Sequence, residues 1–275
     1  MTSPFKEFEE KNQVLQAQFK TAPKTIIHGV VDASGLSAGK NGNEKLWSLN
    51  LTLIAWRTDT SSLQNVSLAI TKQVSDEELR QLQEQIEAET IVTLRVRLCE
   101  NSPFGDARAL FIELLPSQSD AELEAALVEY KKPLQINDSL FGVLTFDRSV
   151  EWFEGQVTWL GQTISLSVSL DESGSYEDAL NTAKALFADM STWSEKVCNY
   201  AVQELLPLKN DNWLDDDEDP VTPEAFIECM QLESITCDPG GEFSFWHDDG
   251  DLFWGHSIQI SGSLSEGLTD ADIPG

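Results

Sequence analysis

The sequence predicts an α+β protein in two parts: a small β domain of three strands, a helix and two strands, then an antiparallel sheet with two to three helices. Lys45 to Arg57 alternates apolar and polar positions as a half-buried strand does, and similar alternation recurs in short runs along the chain. Ser75 followed by Glu78, with Leu79, Leu82 and Ile86 on one stripe, marks a single capped amphipathic helix inside the first group of strands. The charge then changes abruptly. Residues 1–136 hold 14 Lys and Arg against 19 Asp and Glu, net −5, and the remainder holds 4 against 28, net −24, which together give the −29 of the whole chain.

At 275 residues, 41% hydrophobic and 24% charged, the chain is long and apolar enough to bury a core without disulfides or a structural metal. Cys99, Cys198, Cys229 and Cys237 lie far apart with no CxxC pair, so free thiols are expected, and neither metal nor cofactor. No apolar run is long enough to cross a bilayer, and Met1 to Lys20 is polar and charged, unlike a signal sequence. The expected compartment is the cytoplasm. A net −24 repels phosphate backbones and favours fast, salt-sensitive association with basic proteins.

Element by element, Phe5 to Phe19 has helical spacing and ends before Pro23, giving an N-terminal arm over residues 1–24. Strands follow at Ile26 to Val31, Lys45 to Arg57 and Asn65 to Ile70, with Gly35, Gly39 and Gly42 marking a mobile loop between the first two. After the helix Ser75 to Ala88 come strands Ile91 to Leu98 and Ala109 to Leu115. Over residues 25–118 this order resembles an OB-fold, a small Greek-key barrel, which implies a module for oligonucleotides or oligosaccharides. Ser119 to Lys131 reads as a linking helix, within a segment 119–136.

Residues 137–275 form the acidic α+β part. Strands are expected at Leu140 to Phe146, Glu151 to Trp159 and Thr163 to Leu170, and helices at Tyr176 to Met190 and Thr192 to Leu206, the latter stopped by Pro207. A third helix starts with Thr222 as N-cap and Pro223 in its first turn. Strands Gln231 to Cys237, Glu242 to His247 and Leu252 to Ser261 close the chain, with a turn-like tail from Gly262.

The C-terminal half carries Leu140-Phe141-Gly142 through Asp147, Trp152-Phe153-Glu154-Gly155, Trp159, Glu204-Leu205-Leu206, Asn210-Asp211 and Trp213. It continues with Thr222, Glu224-Ala225-Phe226, the run GEFSFWHDDGDLFWGHSIQISG and a closing Thr269-Asp270-Ala271-Asp272-Ile273. In these residues it resembles an uncharacterised bacterial family, the domain of unknown function numbered twenty-two sixty-two. The resemblance implies a domain boundary and a bacterial source, and it supplies no activity. Similar small acidic domains occur among immunity proteins of bacterial toxin systems.

No GxSxG elbow, P-loop or dinucleotide fingerprint occurs, and no catalytic residue is assigned. The binding candidates are of three kinds. Trp152, Phe153, Trp246 and Phe253 are the aromatic residues expected to converge on one exposed face. Asp215, Asp216 and Asp217 open an acidic block that suits a cationic partner. His247 with Asp248, Asp249 and Asp251 offers ligand chemistry in one turn, although Asp-Gly is ordinary hairpin-turn chemistry and the calcium-loop spacing is missing. His256 should share a strand face with Leu252, Trp254, Ile258 and Ile260, where a core histidine is the commoner outcome than a catalytic base.

The expected function is therefore a nonenzymatic interaction protein whose acidic C-terminal domain binds a basic protein partner, with an immunity protein against a toxin as its sharpest form. One alternative is an OB-like oligonucleotide- or glycan-binding module using Arg57, Arg95, Arg97 and Arg108 with Trp47 and Trp56. Another is an undiscovered hydrolase or metal-dependent enzyme that uses His256 with Asp270 or Asp248. Nucleic acid is disfavoured by charge, no membrane is implied, and no oligomeric state follows.

Overall fold

In the N-terminal unit, Met1–Lys132, alternation of apolar and polar side chains closes five strands into a barrel. The computed structural model describes residues 4–42, 44–214 and 219–275. Helix α1 (Pro4–Thr21) leads, burying Leu15 and Phe19 with Ala22 and Cys99. Strands β1 (Lys24–Gly39), β2 (Trp47–Thr58) and β3 (Leu68–Val74) precede helix α2 (Asp76–Gln85), and β4 (Ile91–Cys99) and β5 (Arg108–Leu115) follow it. The closed order is β1-β2-β3-β5-β4, antiparallel except for the parallel β3–β5 seam. That is the order of an OB-like barrel. Leu49, Leu51 and Leu53 of β2 meet Ile70, Leu94 and Val96 inside it. Ser75 Oγ accepts the Glu78 N–H at 3.2 Å to cap α2. Helix α3 (Ala121–Tyr130) starts at Asp120, whose carboxylate accepts the Glu122 and Leu123 N–H groups, and it seats Leu123 with Val30 and Ala55.

The glycines after Val31 do not make the expected loop. β1 bulges between Val31 and Leu36 and then continues to pair, Leu36 with Leu51 through Gly39 with Ser48. Gly35 supplies the φ of +65° that the bulge requires, and its N–H donates to Asp32 Oδ1 at 3.0 Å.

The second unit, Pro133–Gly275, is built on an eight-stranded sheet. Its first strands are β6 (Gln135–Asp138), β7 (Gly142–Asp147), β8 (Trp152–Trp159) and β9 (Gln162–Ser169). Helices α4 (Glu177–Ala188), α5 (Met190–Asn212) and α6 (Pro223–Cys229) come next, then β10 (Gln231–Cys237), β11 (Glu242–Asp248), β12 (Ser257–Ser263) and β13 (Gly267–Asp272). Each half is a meander, but β9 and β10 pair in parallel, so the sheet is mixed and not wholly antiparallel. The helical crossover between those two strands is what parallel pairing needs.

The helices cover one face. Ile164, Leu166 and Val168 of β9 and Phe243 and Phe245 of β11 pack there against Ala183, Leu186, Ala201 and Leu205. α5 runs through Pro207 instead of stopping, because Ala201, Leu205 and Lys209 continue one buried stripe. That packing outweighs the roughly 3 kcal/mol an interior proline costs. The tail is a strand as well: β13 pairs with β12 from Gln259–Asp272 to Ser263–Gly267, as a polar edge strand. Among the described residues no helix is long and apolar enough to cross a membrane.

Candidate binding surfaces

The alternation that turns Phe153, Val157, Ile164 and Leu166 toward the helices sends their neighbours to the opposite face of the sheet. There Ser165, Ser167 and Ser169 of β9 and Ser234 and Thr236 of β10 form a field of hydroxyls lining a depression of about 800 Å³. Trp152 and Trp246 stand at its two ends. Trp246 is opposite Ser234, which pairs with Ser165, whereas Trp152 is opposite Ser169. Three strand spacings across and four residues along therefore separate the two indoles by about 20 Å.

The polar groups of this face are linked to one another. Gln156 Nε2 donates to Ser165 Oγ at 2.7 Å, Ser169 Oγ to Asp238 Oδ1 at 2.6 Å, and Gln259 Nε2 to Ser244 Oγ at 3.2 Å. The Trp152 indole N–H has no hydrogen-bond partner among the described residues. Glu154, Glu233 and Asp238 line the depression, and among the described residues no Lys, Arg or His does. Three of the unit's four Lys and Arg are used elsewhere: Lys184 pairs with Asp138 at 2.7 Å, Lys196 lies over the Trp193 ring, and buried Lys209 donates to the Trp213 carbonyl.

The second surface is the loop between β11 and β12, where a continuous strand from Leu252 was expected. β12 begins only at Ser257. Gly250, Asp251, Trp254 and Gly255 all have positive φ, a loop conformation and not an extended one. Asp249 holds it: buried to 2% exposure, its carboxylate accepts the N–H groups of Asp251 at 3.2 Å, Phe253 at 2.6 Å and Gly255 at 3.2 Å. Phe253 is thereby driven into the core, and Trp254 is held out at 61% exposure with φ of 58°, its ring 4.7 Å from that of Trp213. Strand alternation placed Trp254 with the core; the sequence signals for the loop are the Asp248-Asp249-Gly250-Asp251 turn and Gly255 shortly after it.

The expected aromatic face is thus divided. Trp152 and Trp246 share the open side, whereas Phe153 and Phe253 are core. His247 points with Phe243 and Phe245 toward the helices, away from the Asp248 carboxylate, which accepts the Gly250 N–H. Burial holds the His247 imidazole down to a pKa of about 4, against a smaller opposing effect of the Ile258 backbone, and its Nδ1 has no partner. His256, just ahead of β12, is half-buried and lies edge-on to Trp213 at 5.5 Å, and its Nδ1 also has no partner among the described residues. Among the described residues, no three His, Cys, Asp or Glu gather as a metal site would require. Asp215, Asp216 and Asp217 lie outside the described residues.

In the barrel, the arginines are committed internally. Arg57 pairs with Asp120 at 2.5 Å and with Glu122, Arg95 pairs with Glu113, Arg97 donates to the Ala22 carbonyl, and Arg108 pairs with Asp106 beneath the Phe104 ring. Trp56 is buried at 5% exposure, and Trp47 Nε1 donates to Asp76 Oδ1 at 2.7 Å.

No curated protein and no solved structure matches the chain. Two family matches follow the division of the fold: residues 11–130 match the family described as Domain of unknown function (DUF7021), and residues 138–273 match the one described as Uncharacterized protein conserved in bacteria (DUF2262), so the C-terminal half is similar to the bacterial family its residues resemble.

Proposed function

We propose that this is a bacterial interaction protein whose acidic C-terminal domain binds a basic protein partner across the open face of its sheet. One observation carries the reading: a broad surface bounded by two tryptophans holds three carboxylates and, among the described residues, no cation. Tryptophans are frequent anchors of protein interfaces, and carboxylates on a domain of net −24 steer a cationic partner and disfavour an anionic one. The hydroxyl field supplies acceptors and donors for the backbone and Lys or Arg side chains of that partner. A basic toxin that the domain neutralises in the cytoplasm is the sharpest form of the proposal. Internal pairing of Arg57, Arg95 and Arg108 weighs against a nucleic-acid role for the barrel.

The test is capture from the source bacterium with the tagged protein and with Trp152→Ala and Trp246→Ala, at low and at moderate salt. A basic protein retained in stoichiometric amount by the wild type, released by salt and weakened at least about tenfold by either substitution supports the reading. Retention that neither salt nor the two substitutions alter excludes this face.

A further inference from the structure

On the helix-covered side of the same sheet, at the end where β8, β9, β10 and β11 carry Trp159, Gln162, Leu232 and His247, lies a cavity of about 170 Å³. Its roof is α5, through Ser194, Val197 and Cys198. The mouth is the tight turn joining β8 to β9, where Leu160 is 54% exposed and Gln162 Nε2 donates to the Leu232 carbonyl at 2.7 Å. The walls are mostly apolar or aromatic. Trp159 has its indole N–H already bonded to Ser194 Oγ at 2.8 Å, so that donor is not left to bind a ligand there.

His247 is different. It is 95% removed from solvent, being 5% exposed, it lines the cavity, and its Nδ1 has no hydrogen-bond partner among the described residues. Burial favours the neutral ring, which keeps a lone pair on one nitrogen, and Nδ1 is the nitrogen without a partner among the described residues. An unsatisfied acceptor beside an apolar cavity is costly unless something donates to it. Cavities of about 150 Å³ lined by apolar groups accept a single aromatic ring.

We infer that this cavity is a binding site for a small one-ring aromatic molecule bearing one O–H or N–H donor, which seats its ring between Trp159, Phe245 and Val197 and donates to His247 Nδ1. The site is independent of the open face, since His247 and Trp246 project to opposite sides of β11.

The experiment compares 4-fluorophenol with fluorobenzene by ligand-observed fluorine NMR titration of the full chain. The hydroxyl compound is expected to bind about tenfold more tightly, the factor that one hydrogen bond to a buried acceptor commands. In His247→Phe the two compounds should bind alike, and Cys198→Trp, which fills the cavity from α5, should abolish binding of both while circular dichroism shows the fold retained. No binding of either compound to the wild type, or equal affinities for the two, overturns the proposal. So does 4-fluorophenol binding that survives Cys198→Trp. The wild-type comparison decides the matter even if a substitution unfolds the domain.

Discussion

The Asp249 carboxylate and the Phe253 backbone N–H meet at 2.6 Å inside the C-terminal domain, and this contact decides where the neighbouring aromatic residues go. By also accepting from Asp251 and Gly255, the same side chain turns a stretch that reads as β-strand into a loop that buries Phe253 and exposes Trp254. Asp249→Ala leaves these N–H groups without their acceptor and is expected to destabilise the domain by about 3 kcal/mol. Urea denaturation followed by tryptophan fluorescence measures this. A loss under about 1 kcal/mol would mean that the loop is held by something other than Asp249.

Trp254→Ala should separate stability from binding. The side chain is mostly exposed, so its removal is expected to change unfolding free energy by less than about 1 kcal/mol. If the loop joins the partner interface, affinity for the captured basic protein falls several-fold in the same variant. Thermal melts and a binding titration on one preparation give both values.

His247 predicts an acid-sensitive step. Its folded pKa of about 4 lies below its ordinary 6.5, so the unfolded chain takes up the proton first. The stabilising contribution of the neutral ring is complete above pH 6.5 and is lost as pH falls toward 4, by about 3 kcal/mol in total. Denaturation midpoints between pH 7 and about 5 should fall for the wild type and be flatter for His247→Phe. Parallel profiles in the two proteins would refute the assignment.

The barrel offers a steric test. A Cβ on Gly29 would stand 2.6 Å from Leu53 Cδ1 and 2.9 Å from the Ala55 carbonyl oxygen, and the latter cannot yield without moving β2. Gly29→Ala should cost about 1–3 kcal/mol. The same substitution at Gly39, where nothing lies within 4 Å, should cost far less.

These residues also show what was legible beforehand. Strands such as Trp47–Thr58 and Gln162–Ser169 declare themselves because one face is buried and the other is not, which is the period-two signal. The capped helices and the OB-like order followed from equally local rules. The rest depended on partners distant in sequence. β13 is a polar edge strand with Asp270 and Asp272, stabilised by pairing with β12 and invisible to hydropathy. α5 passes Pro207 because of what it buries, and β1 passes Gly35 because β2 is there to receive it. Trp152 and Trp246 were legible as aromatic residues on strands, but their common face, and the loss of Phe153 and Phe253 to the core, follow only from register.

The most direct test of the proposed role is salt-dependent capture of a partner by the wild-type protein beside Trp246→Ala. Binding of a basic protein that is strong at low salt, falls steeply at moderate salt and is reduced at least about tenfold by the substitution is the predicted result. A partner that is acidic, indifferent to salt or held equally well by Trp246→Ala would contradict it.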